Sequence, residues 1–216
     1  MRIGILGTGA MATALGGAWA AAGHDVLIGG RDRAAAARTA ARTGAGGHGD
    51  LARAAAHGEV ILAAVPAAVA PELAKEYAGL LAGRTVVDCT NPVIPTDDGL
   101  VLSTGGAGSV AGLIAQAAPG AHVVKGFNLC HESIWTLSPP VFEGVPLAVP
   151  LCADDPQALA RVARLVTSIG CTAIPCGGLV RAAYLEATAA FAIGAWWSGA
   201  QPRAAFPSPA EAPRAA

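Results

Sequence analysis

Charge is scarce in this chain. Asp, Glu, Lys and Arg make up 13% of its 216 residues and nearly cancel, to a net charge of −1. Such a balance leaves no electrostatic footprint for nucleic acid or for an anionic membrane surface. Aromatic residues are rarer still, at 5%. Long apolar stretches are also missing: 53% of the residues are hydrophobic, yet no run reaches the ~20 residues of a bilayer span. The cysteines, Cys89, Cys130, Cys152, Cys171 and Cys176, are odd in number and have none of the C-x-x-C spacing that zinc sites use. They read as reduced, mostly buried thiols, and no metal centre is expected. Small-molecule chemistry remains, on a chain long enough for one domain with a real core.

What is present is concentrated in the first thirty-three residues. Ile3-Gly4-Ile5-Leu6 is an apolar run that leads into Gly7-Thr8-Gly9-Ala10-Met11-Ala12, followed by a helical Ala/Leu/Trp pattern up to Ala22-Gly23. A second apolar run, Val26-Leu27-Ile28, ends in Gly29-Gly30-Arg31-Asp32-Arg33. Strand, tight turn, helix and strand in that order make the first unit of a dinucleotide-binding fold. Gly7 turns the chain out of the strand, Gly9 lets backbone approach a pyrophosphate, and small Ala12 lets the helix pack on the sheet. The helix N-terminus then offers unpaired N–H groups to phosphate oxygens. An NAD site carries Asp or Glu at the end of the second strand, whereas a 2′-phosphate calls for Arg. Arg31 and Arg33 therefore favour NADP(H), with Asp32 taken as the N-cap of the next helix.

Met1-Arg2, an apolar segment and Ala18-Trp19-Ala20 imitate a secretory signal. Cleavage there would remove the strand and glycines that the later units need, so a cytoplasmic protein is expected. Further along, Ala34 to Ala41 reads as helix, Gly44 to Gly49 as a break, and Leu51 to Ala56 as a short helix capped by Asp50. Glu59 to Pro66 reads as a buried strand, Ala67 to Tyr77 as helix with Pro71 in its first turn, and Arg84 to Asp88 as strand. Ligands of open α/β sheets lie outside the carboxyl ends of the strands, which places Val65, Pro66 and Thr90-Asn91-Pro92 beside the nicotinamide. Residues 93 to 108 read as a long loop, in which adjacent Asp97 and Asp98 point apart, and Ser109 caps a helix from Val110 to Ala117. His122 to Lys125 is a strand whose exit, Gly126 to Glu132, holds the densest cluster of polar and reactive groups. Leu147 to Leu151, Asp155 to Ser168 and Thr172 to Ile174 read as strand, helix and strand, and Leu179 to about Gly199 as an apolar helix. A helix apolar on most faces needs cover, here expected from a second subunit. Gln201 to Ala216, rich in Pro and Ala, is expected to be disordered.

These residues resemble the NADPH-dependent reductases of the deazaflavin coenzyme F420. The resemblance rests on Gly7-Thr8-Gly9, Gly30-Arg31-Asp32, Val65-Pro66, Asp88-Cys89-Thr90-Asn91-Pro92, Val124-Lys125-Gly126-Phe127-Asn128, and Gly177 with Tyr184-Leu185-Glu186. They run in the family's order over about residues 1 to 198. It implies a Rossmann-type, doubly wound, mostly parallel α/β fold over residues 1–200 with a short C-terminal strand/helix lobe. It also implies a homodimer that passes hydride between NADP(H) and the deazaflavin. By that resemblance Thr8, Arg31 and Arg33 hold the 2′-phosphate, Gly9, Ala10 and Met11 with Gly7 the pyrophosphate turn, and Val65, Pro66 and Asn91 the nicotinamide ribose and ring.

Two departures stand out. Gly30 occupies a position where the family often has a hydroxyl residue, and Leu129-Cys130-His131-Glu132-Ser133-Ile134-Trp135 replaces a run of small residues. His131, able to titrate near neutrality, is a candidate proton donor, and Asn128, Cys130, His131 and Trp135 are candidate substrate-binding residues. Two other readings follow: a reductase of a small organic C=N, C=O or C=C bond on the same scaffold, and a non-catalytic NADP-binding protein.

Overall fold

The computed structural model describes residues 1–97 and 99–205. Its centre is an eight-stranded sheet whose strands lie side by side in the order 172–175, 148–153, 122–125, 85–88, 60–63, 2–6, 25–29 and 47–49. The chain begins β1 (Arg2–Leu6), α1 (Ala10–Ala21), β2 (Asp25–Gly29), α2 (Arg33–Thr43), β3 (Gly47–Gly49), α3 (Leu51–His57) and β4 (Val60–Ala63). It continues α4 (Ala70–Glu76), α5 (Ala78–Leu81), β5 (Thr85–Asp88), the hairpin β6 (Val93–Thr96) and β7 (Gly99–Leu102), α6 (Val110–Ala117) and β8 (His122–Lys125). A 3-10 turn at Glu132–Thr136 and the small hairpin β9 (Val141–Phe142) and β10 (Val145–Pro146) lead into β11 (Ala148–Ala153), α7 (Pro156–Ser168) and β12 (Thr172–Pro175). A second 3-10 turn, Leu179–Arg181, precedes α8 (Ala182–Trp197). Strands β1 to β5 and β8 of the sheet pair in parallel, β11 turns antiparallel to β8, and β12 is parallel to β11.

The near-continuous apolar strands follow from burial on both faces. Side chains alternate across the sheet, so Ile3, Ile5, Val26, Ile28, Leu62, Val87 and Val124 face one core with α1 and α7. Leu6, Leu27, Ile61, Val86 and Val123 face the other with α3, α4 and α6. Caps fall where short polar side chains precede the helices: Asp32, Asp50, Ser109 and Asp155 each accept a backbone N–H of the helix that follows. This is the doubly wound α/β architecture expected, with α7, β12 and α8 as its C-terminal part.

Three local expectations are corrected. The stretch read as a break at Gly44 to Gly49 contains the edge strand β3, whose Gly-His-Gly has no strand propensity and which exists through backbone pairing with Leu27, Ile28 and Gly29. The 93–108 loop instead folds into β6 and β7, closed by Thr96 Oγ1 donating to Gly99 O at 2.8 Å, and β7 lies against α8. Pro202–Ala205 of the expected tail forms a 3-10 turn. Asp98 and residues 206–216, the rest of that tail, lie outside the described residues. Among the described residues no helix is long and apolar enough to cross a membrane.

Candidate active site

The mouth of the first β-α unit is made of backbone. Gly7 has φ of +131°, and a Cβ there would stand 2.1 Å from the carbonyl oxygen of Ala64, so only glycine fits the turn. A Cβ on Gly9, by contrast, would meet nothing within 4 Å. Gly9 is the N-cap of α1, no side chain caps the helix and no acidic residue sits in its first turn. The first N–H groups of α1 thus face an open cleft of about 420 Å³ lined by Thr8, Gly9, Ala10, Arg42, Glu132 and Ser133. Met11 is half-buried behind it.

At the end of β2 the two candidate arginines differ. Arg31 is exposed, whereas Arg33 forms an ion pair with Asp50 at 2.6 Å. Asp32, as expected, is the N-cap of α2: its side chain accepts the Ala34 N–H at 2.8 Å, and Arg38 lies 3.7 Å away. Gly30 is tightly enclosed: a Cβ there would come within 2.8 Å of the Thr8 methyl.

The exits of β5 and β8 are built differently, from buried side chains. Lys125 is fully buried, and its Nζ lies 2.9 Å from Asp88 Oδ2, 2.9 Å from Glu186 Oε1 of α8 and 2.6 Å from Thr90 O. Burial pulls the Lys125 pKa down, but Asp88 and Glu186 outweigh it and hold the ammonium above its ordinary range. Glu186 also accepts the Val110 N–H at the start of α6 with both oxygens at 3.1 Å, and Asp88 Oδ1 accepts the Thr90 N–H at 2.8 Å. Beside this triad, Asn91 Nδ2 donates to Asn128 O at 2.8 Å, and Asn128 Nδ2 donates to Asn91 Oδ1 at 3.0 Å and to Leu185 O at 3.1 Å. Thr90 Oγ1 and Asn128 Oδ1 are buried without a partner. Asn91 and Val65 are half-buried, and Pro66 is exposed.

Sequence reasoning singled out Asn91 and Asn128 here but assigned nothing to Asp88, Lys125 and Glu186. One signal was present: Lys125 ends an apolar strand and Glu186 interrupts an apolar helix, and a charge in such a place needs a partner.

Beyond β8 the chain turns through Phe127, which has φ of +62° and is wedged edge-on between Trp19 and Trp135 at ring distances of 5.6 and 5.3 Å. Trp135 is 2% exposed. Its ring packs on Phe127, while its indole N–H is buried without a partner. Asn128, at 3% exposure, likewise lies behind the surface instead of on it. Cys130 is half-buried, and burial pushes its thiol up to about 11, the opposite of what a nucleophile needs. His131 is exposed, its Nδ1 2.9 Å from Ser133 Oγ and its Nε2 3.3 Å from Glu132 Oε2. It caps the 3-10 turn by accepting the Ser133 N–H, so His131 and Trp135 do not share a face. No group of three or more His, Cys, Asp or Glu residues is placed to hold a metal among the described residues.

A Rossmann-type sheet with this glycine turn, an uncapped helix N-terminus above it and an exposed arginine past the second strand has the features of a dinucleotide site, and comparisons with known proteins place the chain among NADP-dependent oxidoreductases. Residues 2–92, which hold that whole unit, match the family described as NADP oxidoreductase coenzyme F420-dependent. The resemblance read from the motifs is borne out over that stretch. No protein of curated description matches the chain in sequence. Among solved structures, a protein of Arthrobacter sp. FB24, provisionally described as an F420-dependent NADP reductase, is 28% identical, with a TM-score of 0.82 over 93% of this chain and 96% of that one. Hypothetical protein SMa0349 of Sinorhizobium meliloti is 25% identical, with a TM-score of 0.69 over 83% and 86%. An imine reductase of Streptomyces aurantiacus shares the fold at 16% identity and a TM-score of 0.65; this chain is covered over 90% of its length and that enzyme over 61%.

Proposed function

We propose that the protein is a cytoplasmic reductase that transfers hydride between NADP(H) and a deazaflavin of the F420 type. The observation that carries this reading is the open α1 N-terminus with exposed Arg31 past the second strand and the carboxylate next to it in sequence, Asp32, committed to a helix cap. The residues fit the cofactor: the turn at Gly7 admits no side chain, the Gly9 side of the turn is open, and buried Thr90 Oγ1 is left without a partner at the other end. Backbone N–H groups of Gly9, Ala10 and Met11 would hold the pyrophosphate, and Thr8 and Arg31 the 2′-phosphate. Arg33 is the weaker candidate, being paired with Asp50. Val65, Pro66 and Asn91 would border the nicotinamide.

Bound there, the cofactor supplies the hydride. The protein's task is then to orient two flat rings and exclude water, since placement accounts for most of the rate in such a transfer. His131, in contact with Ser133 and Glu132, would be the proton donor to the reduced product. The same placement supports a second reading, in which a small C=N, C=O or C=C substrate is the acceptor and His131 protonates it. We also propose a homodimer through α8, on whose outer side Tyr184 and Trp197 are 64% and 70% exposed, with Val180 just before it at 84%.

Mixing the purified protein with NADPH and oxidised F420 tests the reading. The expected result is loss of the deazaflavin's visible absorbance. Tight NADPH binding without that loss would favour the small organic acceptor, and absence of turnover with every acceptor would leave a non-catalytic NADP-binding protein.

A further inference from the structure

Asn128 is almost fully buried, yet it makes three hydrogen bonds, two of them to one half-buried neighbour, Asn91. Its main-chain oxygen accepts from Asn91 Nδ2 at 2.8 Å, and its own Nδ2 donates to Asn91 Oδ1 at 3.0 Å and to Leu185 O at 3.1 Å. Both ends of the Asn91 carboxamide are therefore gripped by a single residue. The amide orientation of Asn128 follows from its partners, because Asn91 Oδ1 and Leu185 O are both acceptors and only an NH2 group can face the two at once. Leu185 is adjacent in α8 to Glu186, which holds Lys125 at 2.9 Å, and Lys125 in turn holds Thr90 O at 2.6 Å. Two successive residues of the C-terminal helix thus reach two successive residues of the β5 exit, Thr90 through Lys125 and Asn91 through Asn128.

We propose that Asn128 is a positioning residue: it fixes the Asn91 carboxamide in one orientation toward the nicotinamide end of the cleft and ties that orientation to the docking of α8. The inference rests on the proposed NADP(H) site and goes beyond it. Asn91 touches the cofactor, and Asn128 acts only through Asn91. Asn128→Asp keeps the shape but presents oxygen to both Asn91 Oδ1 and Leu185 O. Asn128→Ser removes the bridge with a smaller group, in case the carboxylate prevents folding.

The probes are NADPH, whose reduced ring fluoresces, and adenosine 2′,5′-bisphosphate, which has no ring. In a folded Asn128 variant the emission of bound NADPH moves toward that of free NADPH, and the NADPH Kd rises about three- to tenfold, the range expected for one lost hydrogen bond. The Kd of adenosine 2′,5′-bisphosphate stays within about twofold, because the phosphate end is untouched. In an Asn91→Ala background, the Asn128 substitution adds nothing further to the NADPH signal, as a residue acting only through Asn91 requires. A bound-NADPH emission identical in the wild type and both variants, or effects at the two positions that add, overturns the assignment while leaving the cofactor site standing. Failure of the wild type to bind either probe overturns the cofactor site and the Asn128 assignment with it.

Discussion

The two ends of the proposed cofactor site are built by opposite means. At the phosphate end, between Gly7 and Arg31, the chain supplies backbone N–H groups, one open glycine and an exposed guanidinium, with no buried charge. At the ring end, at the exits of β5 and β8, it supplies a buried ammonium between two carboxylates and a pair of interlocked asparagines. The first end is a local design in which neighbours in sequence are neighbours in space. The second joins residues 88, 91, 110, 125, 128 and 186 and depends on the whole fold. A flexible, charged diphosphate can be met by backbone alone, whereas a ring held for hydride transfer needs walls that do not move.

Substitutions can break each end separately. The largest loss is expected for Gly7→Ala, where φ of +131° and the approach to Ala64 O together should remove at least about 3 kcal/mol of stability, seen as a large fall in Tm and in soluble yield. Lys125→Met should come close behind, since it leaves Asp88 and Glu186 buried without their cation and such breakages cost about 3–5 kcal/mol. The pH dependence sharpens that prediction. Lys125 has its folded pKa raised above the ordinary 10.5, so its contribution is fully present below 10.5 and is lost as pH rises through the higher folded value. The Tm gap between wild type and Lys125→Met should therefore stay constant from neutrality to about pH 10 and narrow above it.

Smaller effects probe the surface of the site. Arg33→Ala should change NADPH affinity by less than about threefold, as expected of an exposed ion pair worth under about 1 kcal/mol, in a fluorescence titration. Cys130, with its thiol pushed up to about 11, should react with iodoacetamide at pH 8 about a hundredfold more slowly than free cysteine, followed by mass spectrometry. A Cys130 that alkylates as fast as free cysteine would show that the segment after β8 opens in solution.

The same contrast explains what could be read in advance. The glycine turn was legible, because Gly7 and Gly9 act through local backbone conformation. Helix caps at Asp32, Asp50 and Ser109 were legible for the same reason. Asn91 and Asn128 were recognised as notable, but their mutual hydrogen bonds were not, since these join two strand exits far apart in sequence. The packing of Trp135 on Phe127 was not legible either, because it depends on a 3-10 turn and on the path of the chain after β8. Edge strand β3 left no pattern to read, because glycine pairs through its backbone alone.

Whether the open turn and Arg31 select the phosphorylated nucleotide is decided by parallel titrations of NADPH and NADH against the wild type and Arg31→Ala. The wild type should bind NADPH at least about tenfold more tightly than NADH, by the ~1.5–3 kcal/mol of a charge-assisted contact, and most of this preference should disappear in Arg31→Ala. Equal affinity of the wild type for the two nucleotides, or a preference that survives the loss of Arg31 unchanged, would contradict that selection.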